Sequence, residues 1–166
     1  MKKLLTILCL VLLSSYSYSD EILRDQLVER QGVYYEVNST IPFTGLRESF
    51  HENGQLRSKI MFKNGVYEGS WEWFYPNGQI EQKGMFKNGK SEGRWEFYHE
   101  NGQHKWIYHN YKNGKEDGLF ESFFENGVLE TRGYWKEGKK NGYWEDYYED
   151  GKVKETTFWV NGELRK

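Results

Sequence analysis

Three series of glycines recur in phase along this chain, and a single irregular core does not produce that pattern. The first series is Gly45, Gly69, Gly93, Gly118 and Gly142. The second follows nine residues later, at Gly54, Gly78, Gly102, Gly127 and Gly151. The third closes each unit at Gly65, Gly89, Gly114, Gly138 and Gly162. The spacing is 24 residues, with one extra residue across the third unit. A fixed period of this length means that each unit is one supersecondary element, stabilised by stacking on its neighbours.

The residues between the glycines say which element it is. Segments such as SWEWFYPNG, RWEFYHENG and YWEDYYEDG are short aromatic runs ending in Asn-Gly or Asp-Gly. That dipeptide is the strongest short hairpin signal, because a type I′ turn needs positive φ at both central residues. Composition agrees, with 7 Trp, 13 Tyr and 10 Phe but only 2 Pro. Aromatics favour strands and glycines favour turns. The expectation is an all-β fold: an elongated single-layer antiparallel sheet of five tandem hairpins, about ten strands. The units run over about 41–65, 66–89, 90–114, 115–138 and 139–166, after a lead-in over 20–40. The stretch after each third glycine, such as NGKSEG, is expected to be a return connection.

With Asn77-Gly78 as a two-residue loop, Glu72 lies opposite Lys83, and the same rule sets Glu48 against Lys59 and Glu121 against Arg132. Opposite charges across a ladder contribute roughly 0.2–1 kcal/mol per pair. Trp71 falls opposite Gly84, and Phe120 opposite Gly133, so that a ring covers bare backbone. The extra residue of the third unit is expected to make a β-bulge near Trp106 to Tyr111. Alternation sorts the side chains into two faces. One carries Trp71, Trp73, Tyr75, Ile80, Trp95, Phe97, Trp106, Phe120, Phe124, Leu129, Trp144, Tyr148 and Val153. The other carries Glu48, Glu72, Glu96, Glu121 and Glu145, each followed two residues on by an aromatic, and is the more solvated.

The N-terminus reads as a secretory signal over 1–19. Lys2 and Lys3 precede an apolar run from Leu4 to Leu13, too short to span a bilayer, and small residues follow. Cleavage is expected near Ser19, giving an exported chain, periplasmic or extracellular. The single cysteine, Cys9, lies inside that leader, so no disulfide is expected in the mature chain. Loss of Lys2 and Lys3 from 23 basic residues leaves 21 against 25 acidic ones, a net charge of −4. That balance offers no footprint for nucleic acid and no polybasic stretch for anionic lipid.

The units resemble those of the MORN-repeat variant family, which read roughly as G-x-W-x-x-x-Y-x-N-G followed by a second strand ending in an aromatic and K-x-G. The matching stretches are GSWEWFYPNG with MFKNGK, GRWEFYHENG with YKNGK, and GYWEDYYEDG with WVNGE. The lead-in LVERQGVYYEVNSTIPFTG resembles the opening of bacterial YwqK-type antitoxins. The resemblance implies a curved β-sheet used for protein or membrane contacts, and in the bacterial branch a role in neutralising a toxin. A secretory leader places any such toxin beyond the inner membrane.

No catalytic constellation is expected. The repeated glutamates face basic residues and read as ladder ion pairs rather than as a hydrolytic pair. The hairpin rule sets His99 opposite His104, but two ligands are too few for a catalytic zinc site, so no metal or other cofactor is expected. The function expected is that of a non-enzymatic, exported protein-binding or scaffold module. A periplasmic antitoxin and a cell-envelope glycan binder are the alternatives, and membrane contact and oligomeric state stay open. The binding residues expected are Trp73, Phe97 and Trp106, flanked by Tyr75, His99 and His104. The cross-strand pair four residues past each first glycine reads Ser49 with Ser58, Trp73 with Gln82, Phe97 with Trp106, Ser122 with Thr131, and Asp146 with Glu155. A framework requirement repeats along an array. This bulky stretch occurs only in units two and three.

Overall fold

The computed structural model describes residues 27–165, all in strands and the turns between them. The leader expected over 1–19 lies outside the described residues. Among the described residues fourteen strands follow one another. They begin with β1 (Leu27–Arg30), β2 (Val33–Glu36), β3 (Gly45–Phe50), β4 (Leu56–Lys63) and β5 (Val66–Phe74). Next come β6 (Ile80–Lys87), β7 (Lys90–Tyr98), β8 (His104–Lys112), β9 (Lys115–Glu116) and β10 (Gly118–Phe123). The last are β11 (Leu129–Lys136), β12 (Lys139–Tyr147), β13 (Val153–Val160) and β14 (Glu163–Arg165).

One compact unit holds the described residues up to Gly45 together with Lys63–Val66. In it β1 and β2 form an antiparallel hairpin in which Arg30 faces Val33. Backbone bonds join its later segments: Tyr34 N–H donates to the Gly65 carbonyl at 2.8 Å, and Gly65 N–H donates to that of Phe43 at 2.7 Å.

The other unit comprises Leu46–Phe62 and the chain from Tyr67 onward. Strands β3 to β14 make a 12-stranded antiparallel sheet in which consecutive strands are neighbours, with β9 attached beside β8. The expected ten strands are present as β3–β8 and β10–β13. The two additional ones have local causes. β14 follows the last turn. β9 is separated from β10 at Asp117, whose N–H donates to the Asn110 carbonyl at 2.9 Å beside the extra residue of the third unit. That residue bulges β8 between Tyr108 and Tyr111, where expected.

The turns differ from expectation in an instructive way. The type I′ geometry occurs at the third glycine of each unit. Asn88 and Gly89 have φ of 50° and 73°, and Lys87 pairs with Lys90 directly across them. The return connection is therefore a tight turn, and the residues after it continue as strand, which makes β5, β7 and β12 nine residues long. At the second glycine the loop has three residues. Gly78 N–H donates to the Tyr75 carbonyl and Tyr75 N–H to that of Gln79, both at 2.8 Å. Only Gly78 is left-handed there, at φ 84°. A type I turn followed by a left-handed glycine gives this three-residue connection. The Asn77 side chain accepts the Gln79 N–H at 2.9 Å, which keeps the asparagine useful without a positive φ.

A three-residue loop alone would shift the ladder by one. A bulge at Glu81 restores it, because Phe74 faces Ile80 while Trp73 faces Gln82. Glu72 therefore does face Lys83, Trp71 faces Gly84, Glu121 faces Arg132 and Phe120 faces Gly133, as the sequence rule requires. The same bulge overturns the placement of the residues nearest the loop. Ile80, Leu129 and Val153 lie opposite Phe74, Phe123 and Tyr147, and so belong to the glutamate face.

The core sits on the tryptophan face. A chain of ring contacts 4.8–5.1 Å apart runs from Phe62 through Tyr67, Trp71 and Phe86 to Trp95. A second runs from Tyr108 through Phe120 to Trp144 and Trp135. Trp95 and Trp144, at 5% and 3% exposure, are buried with Ile60 and Phe62. The ring that covers Gly84 is that of Trp95, and the ring that covers Gly133 is that of Trp144. Each tryptophan thus shields the strand of the preceding repeat, where its own hairpin partner was expected to do so.

Glu137 is an exception among the I′ turns. It sits at φ 50° where the corresponding turns carry Asn64, Asn88, Asn113 and Asn161. Asparagine tolerates the left-handed region, whereas other side chains are penalised there by about 1 kcal/mol or more. Replacing Glu137 with Asn is expected to stabilise the protein by about 1 kcal/mol. The urea midpoint should rise at constant m-value. An unchanged midpoint would mean that Glu137 gains compensating contacts from its side chain.

Candidate functional site

Backbone register builds two parallel rows across the sheet, one on each face. The first runs Trp73, Gln82, Phe97, Trp106, Ser122, Thr131, Asp146 and Glu155, each facing the next across a strand pair. It contains four of the five variable pairs singled out in the sequence. Three of the six expected binding residues, Trp73, Phe97 and Trp106, stand together in it. Phe97 and Trp106 have ring centroids 5.1 Å apart, and Trp73 lies 6.0 Å from Trp71. None of the three belongs to the buried core; each is half-buried at its margin. Cationic side chains add charge beside them. The Arg57 guanidinium lies 5.3 Å from the Trp73 ring and the Lys105 ammonium 4.7 Å from that of Trp106. The indole N–H of Trp73 is buried without a hydrogen-bond partner. An unpaired buried donor costs about 1–3 kcal/mol unless something accepts from it.

The other three residues have different jobs. Tyr75 Oη donates to the Tyr98 carbonyl at 2.7 Å, and His99 Nε2 donates to the Phe123 carbonyl at 3.1 Å, each in the next repeat. His51 does the same to Phe74 at 2.8 Å. This slot therefore ties one hairpin loop to the following hairpin. Asn53, Asn77 and Asn101 reinforce it by donating to the carbonyls of Pro76, Glu100 and Glu125. What His and Tyr share in this slot is a terminal donor. The expected facing of His99 and His104 fails because the bulge at Lys105 sets His104 opposite Tyr98. His104 joins the glutamate face, 3.3 Å from Glu96 and with its ring centroid 4.7 Å from that of Tyr98.

The second row runs Glu72, Lys83, Glu96, Ile107, Glu121, Arg132, Glu145 and Thr156. Glu48 and Lys59 pair at 3.4 Å, as expected. Lys83 and Arg132 instead reach the glutamate of the following repeat, Glu96 at 3.0 Å and Glu145 at 3.1 Å. These ion pairs therefore join repeats to each other. Burial raises the affinity of Glu96 for its proton, but the bonds from Lys83 and Arg94 outweigh this and hold the carboxyl below the usual range. Tyr147 and then Arg132 do likewise for Glu145. Ile107 is buried in this row where other units carry a base or a threonine, a substitution that was visible in the sequence but masked by the irregular third unit. Arg94 donates to His109 Nδ1 at 3.1 Å, so the ring proton sits on Nε2 and is donated to Glu121 at 2.8 Å.

No group of three or more His, Cys, Asp or Glu that could hold a metal is present among the described residues. The arrangement offers a half-buried aromatic row edged by cations on one face and a self-paired charged row on the other.

Stacked strand–turn–strand units whose loops and ion pairs bond each to the next define a tandem β-hairpin repeat protein. The chain belongs to the MORN repeat variant family, whose pattern matches residues 43–64, 67–88, 91–113, 116–137 and 140–161. A comparison with curated proteins finds no match. Among solved structures, one that is similar over part of its length is a variant of S. aureus TarM in complex with Fondaparinux, alpha-GlcNAc-glycerol and UDP. It has 11% identity and a TM-score of 0.36, over 76% of this chain and 23% of that one.

Proposed function

We propose that this repeat protein is a non-enzymatic binding module that acts after export and recognises a protein partner through the row Trp73, Phe97 and Trp106. The observation that carries the reading is a mismatch between framework and row. The buried core and the inter-repeat bonds recur along the array, whereas these three rings are half-buried beside that core and have no counterparts in the end repeats. Tryptophan flanked by cationic side chains is a common interface anchor, and truncating such an anchor costs about 2 kcal/mol or more of binding free energy. Export rests on Lys2, Lys3 and the apolar run that follows them.

The test replaces Trp73 with Ser and Trp106 with Thr, residues that other repeats use at the same positions. Crosslinking and affinity capture from the cell envelope should lose the partner retained by the parent protein, while the melting temperature moves little. A collapse of thermal stability in the variant would assign both rings to the core and remove this surface from consideration.

A further inference from the structure

The row of side chains that begins one residue past the first glycines lies on the glutamate face, and the fourth and fifth repeats fill it differently from the others. At the junction of repeats one and two the slots hold Met61 and Ser70, and at that of repeats two and three they hold Met85 and Arg94. At the junction of repeats four and five they hold Tyr134 and Tyr143, which are 55% and 68% exposed. Both rings line one groove of about 480 Å³, together with Leu119, Arg132, Gly133, Glu145 and Thr156. That volume lies within the range of about 300–1,000 Å³ usual for small-ligand sites.

Each lining residue has a definable part. Gly133 presents bare backbone, because any side chain there would point to the far side of the sheet, into Trp144. Phe158 faces Tyr143 across the ladder and braces it, with ring centroids 4.8 Å apart. The Arg132 guanidinium bonds Glu145 Oε2 at 3.1 Å, and Tyr147 Oη donates to the same oxygen at 2.8 Å. The pair is thus internally neutralised, while a five-donor guanidinium keeps further N–H groups for a ligand. The remaining lining residues are uncharged. Net charge close to zero selects against phosphate, acidic peptide and anionic lipid headgroup. Two exposed phenol rings offer flat apolar faces with polar tips, and the ion pair and the Thr156 hydroxyl offer hydrogen bonds. Flat C–H faces ringed by hydroxyls are the complement of that set.

We propose that this groove binds a neutral β-linked pyranose unit, stacked on Tyr134 and Tyr143 and held at its hydroxyls by Arg132, Glu145 and Thr156. The site lies on the face opposite the Trp73–Trp106 row and does not depend on it. The test titrates the full chain with cellotetraose and with tri-N-acetylchitotriose, followed by calorimetry and by amide chemical-shift mapping. Saturable binding of one of them is expected, with shifts centred on Gly133, Tyr134 and Tyr143. Replacing Tyr134 with Met and Tyr143 with Ser, as at the first junction, is expected to weaken that binding at least tenfold with the circular dichroism spectrum unchanged. Replacing Tyr134 alone with Phe keeps the ring and should retain most of the affinity. The proposal is overturned if neither oligosaccharide binds, if shifts map elsewhere, or if the double variant binds as the parent does. It is likewise overturned if a proline-rich peptide occupies the groove and both sugars fail.

Discussion

Replacing Gly133 with alanine is expected to destabilise the protein by about 1–3 kcal/mol in the parent background and hardly at all once Trp144 is also replaced by alanine. A Cβ at Gly133 would lie 2.2 Å from Trp144 Cδ2, far inside any real contact. The indole is 3% exposed and cannot swing away without opening the core. Its N–H also donates to the Tyr134 carbonyl at 3.2 Å, which fixes the ring plane. Replacing Trp144 alone should cost about 3–5 kcal/mol, the usual loss for a buried large aromatic. In the double variant the clash is gone, and alanine is a better strand residue than glycine. Urea melts of the four proteins close the cycle. Simple additivity of the two losses would mean that the ring does not rest on Gly133. Gly84 and Trp95 repeat this geometry, with a hypothetical Cβ also 2.2 Å from the ring, and should couple in the same way.

Stability is expected to follow the number of repeats. Deleting residues 139–166 should leave a chain that still unfolds cooperatively but at a lower temperature, and unit 66–89 alone should show no cooperative transition. The reason lies in where the bonds run. The Arg132–Glu145 ion pair, the Thr131–Asp146 hydrogen bond at 2.7 Å and the cover over Gly133 all cross from the fourth repeat to the fifth. An isolated hairpin keeps none of its outward partners and is at best marginal in water. Calorimetry on the truncation series reads the outcome. A single unit that melted cooperatively at the parent's temperature would make each hairpin self-sufficient and would sink this account.

The candidate surface was partly legible in the sequence. Trp73, Phe97 and Trp106 fall into one row because the strand bodies keep the register that the Asn-Gly rule gives. His99 and His104 do not, since they flank a loop whose length the dipeptide left open. A three-residue loop and its compensating bulge leave the far register intact while changing every partner near the turn. Tyr134 and Tyr143 escaped notice for another reason. They lie on the face expected to be the more solvated, and only the groove around Gly133 singles them out.

Period, strand content and the pairing of Glu72 with Lys83 follow from the chain alone, because a glycine-punctuated repeat of aromatic runs admits one local solution and repeats it. Which dipeptide makes the two-residue turn does not follow. Asn77-Gly78 and Asn88-Gly89 read alike, and the choice between them depends on the loops stacked alongside. Nor does the partner of each lysine or tryptophan. Lys83 has a glutamate in register on each side and takes Glu96, and Gly84 is covered from the next repeat by Trp95. Those selections are made by sheet twist and neighbour packing, which act between repeats and leave no mark in the sequence of any one of them.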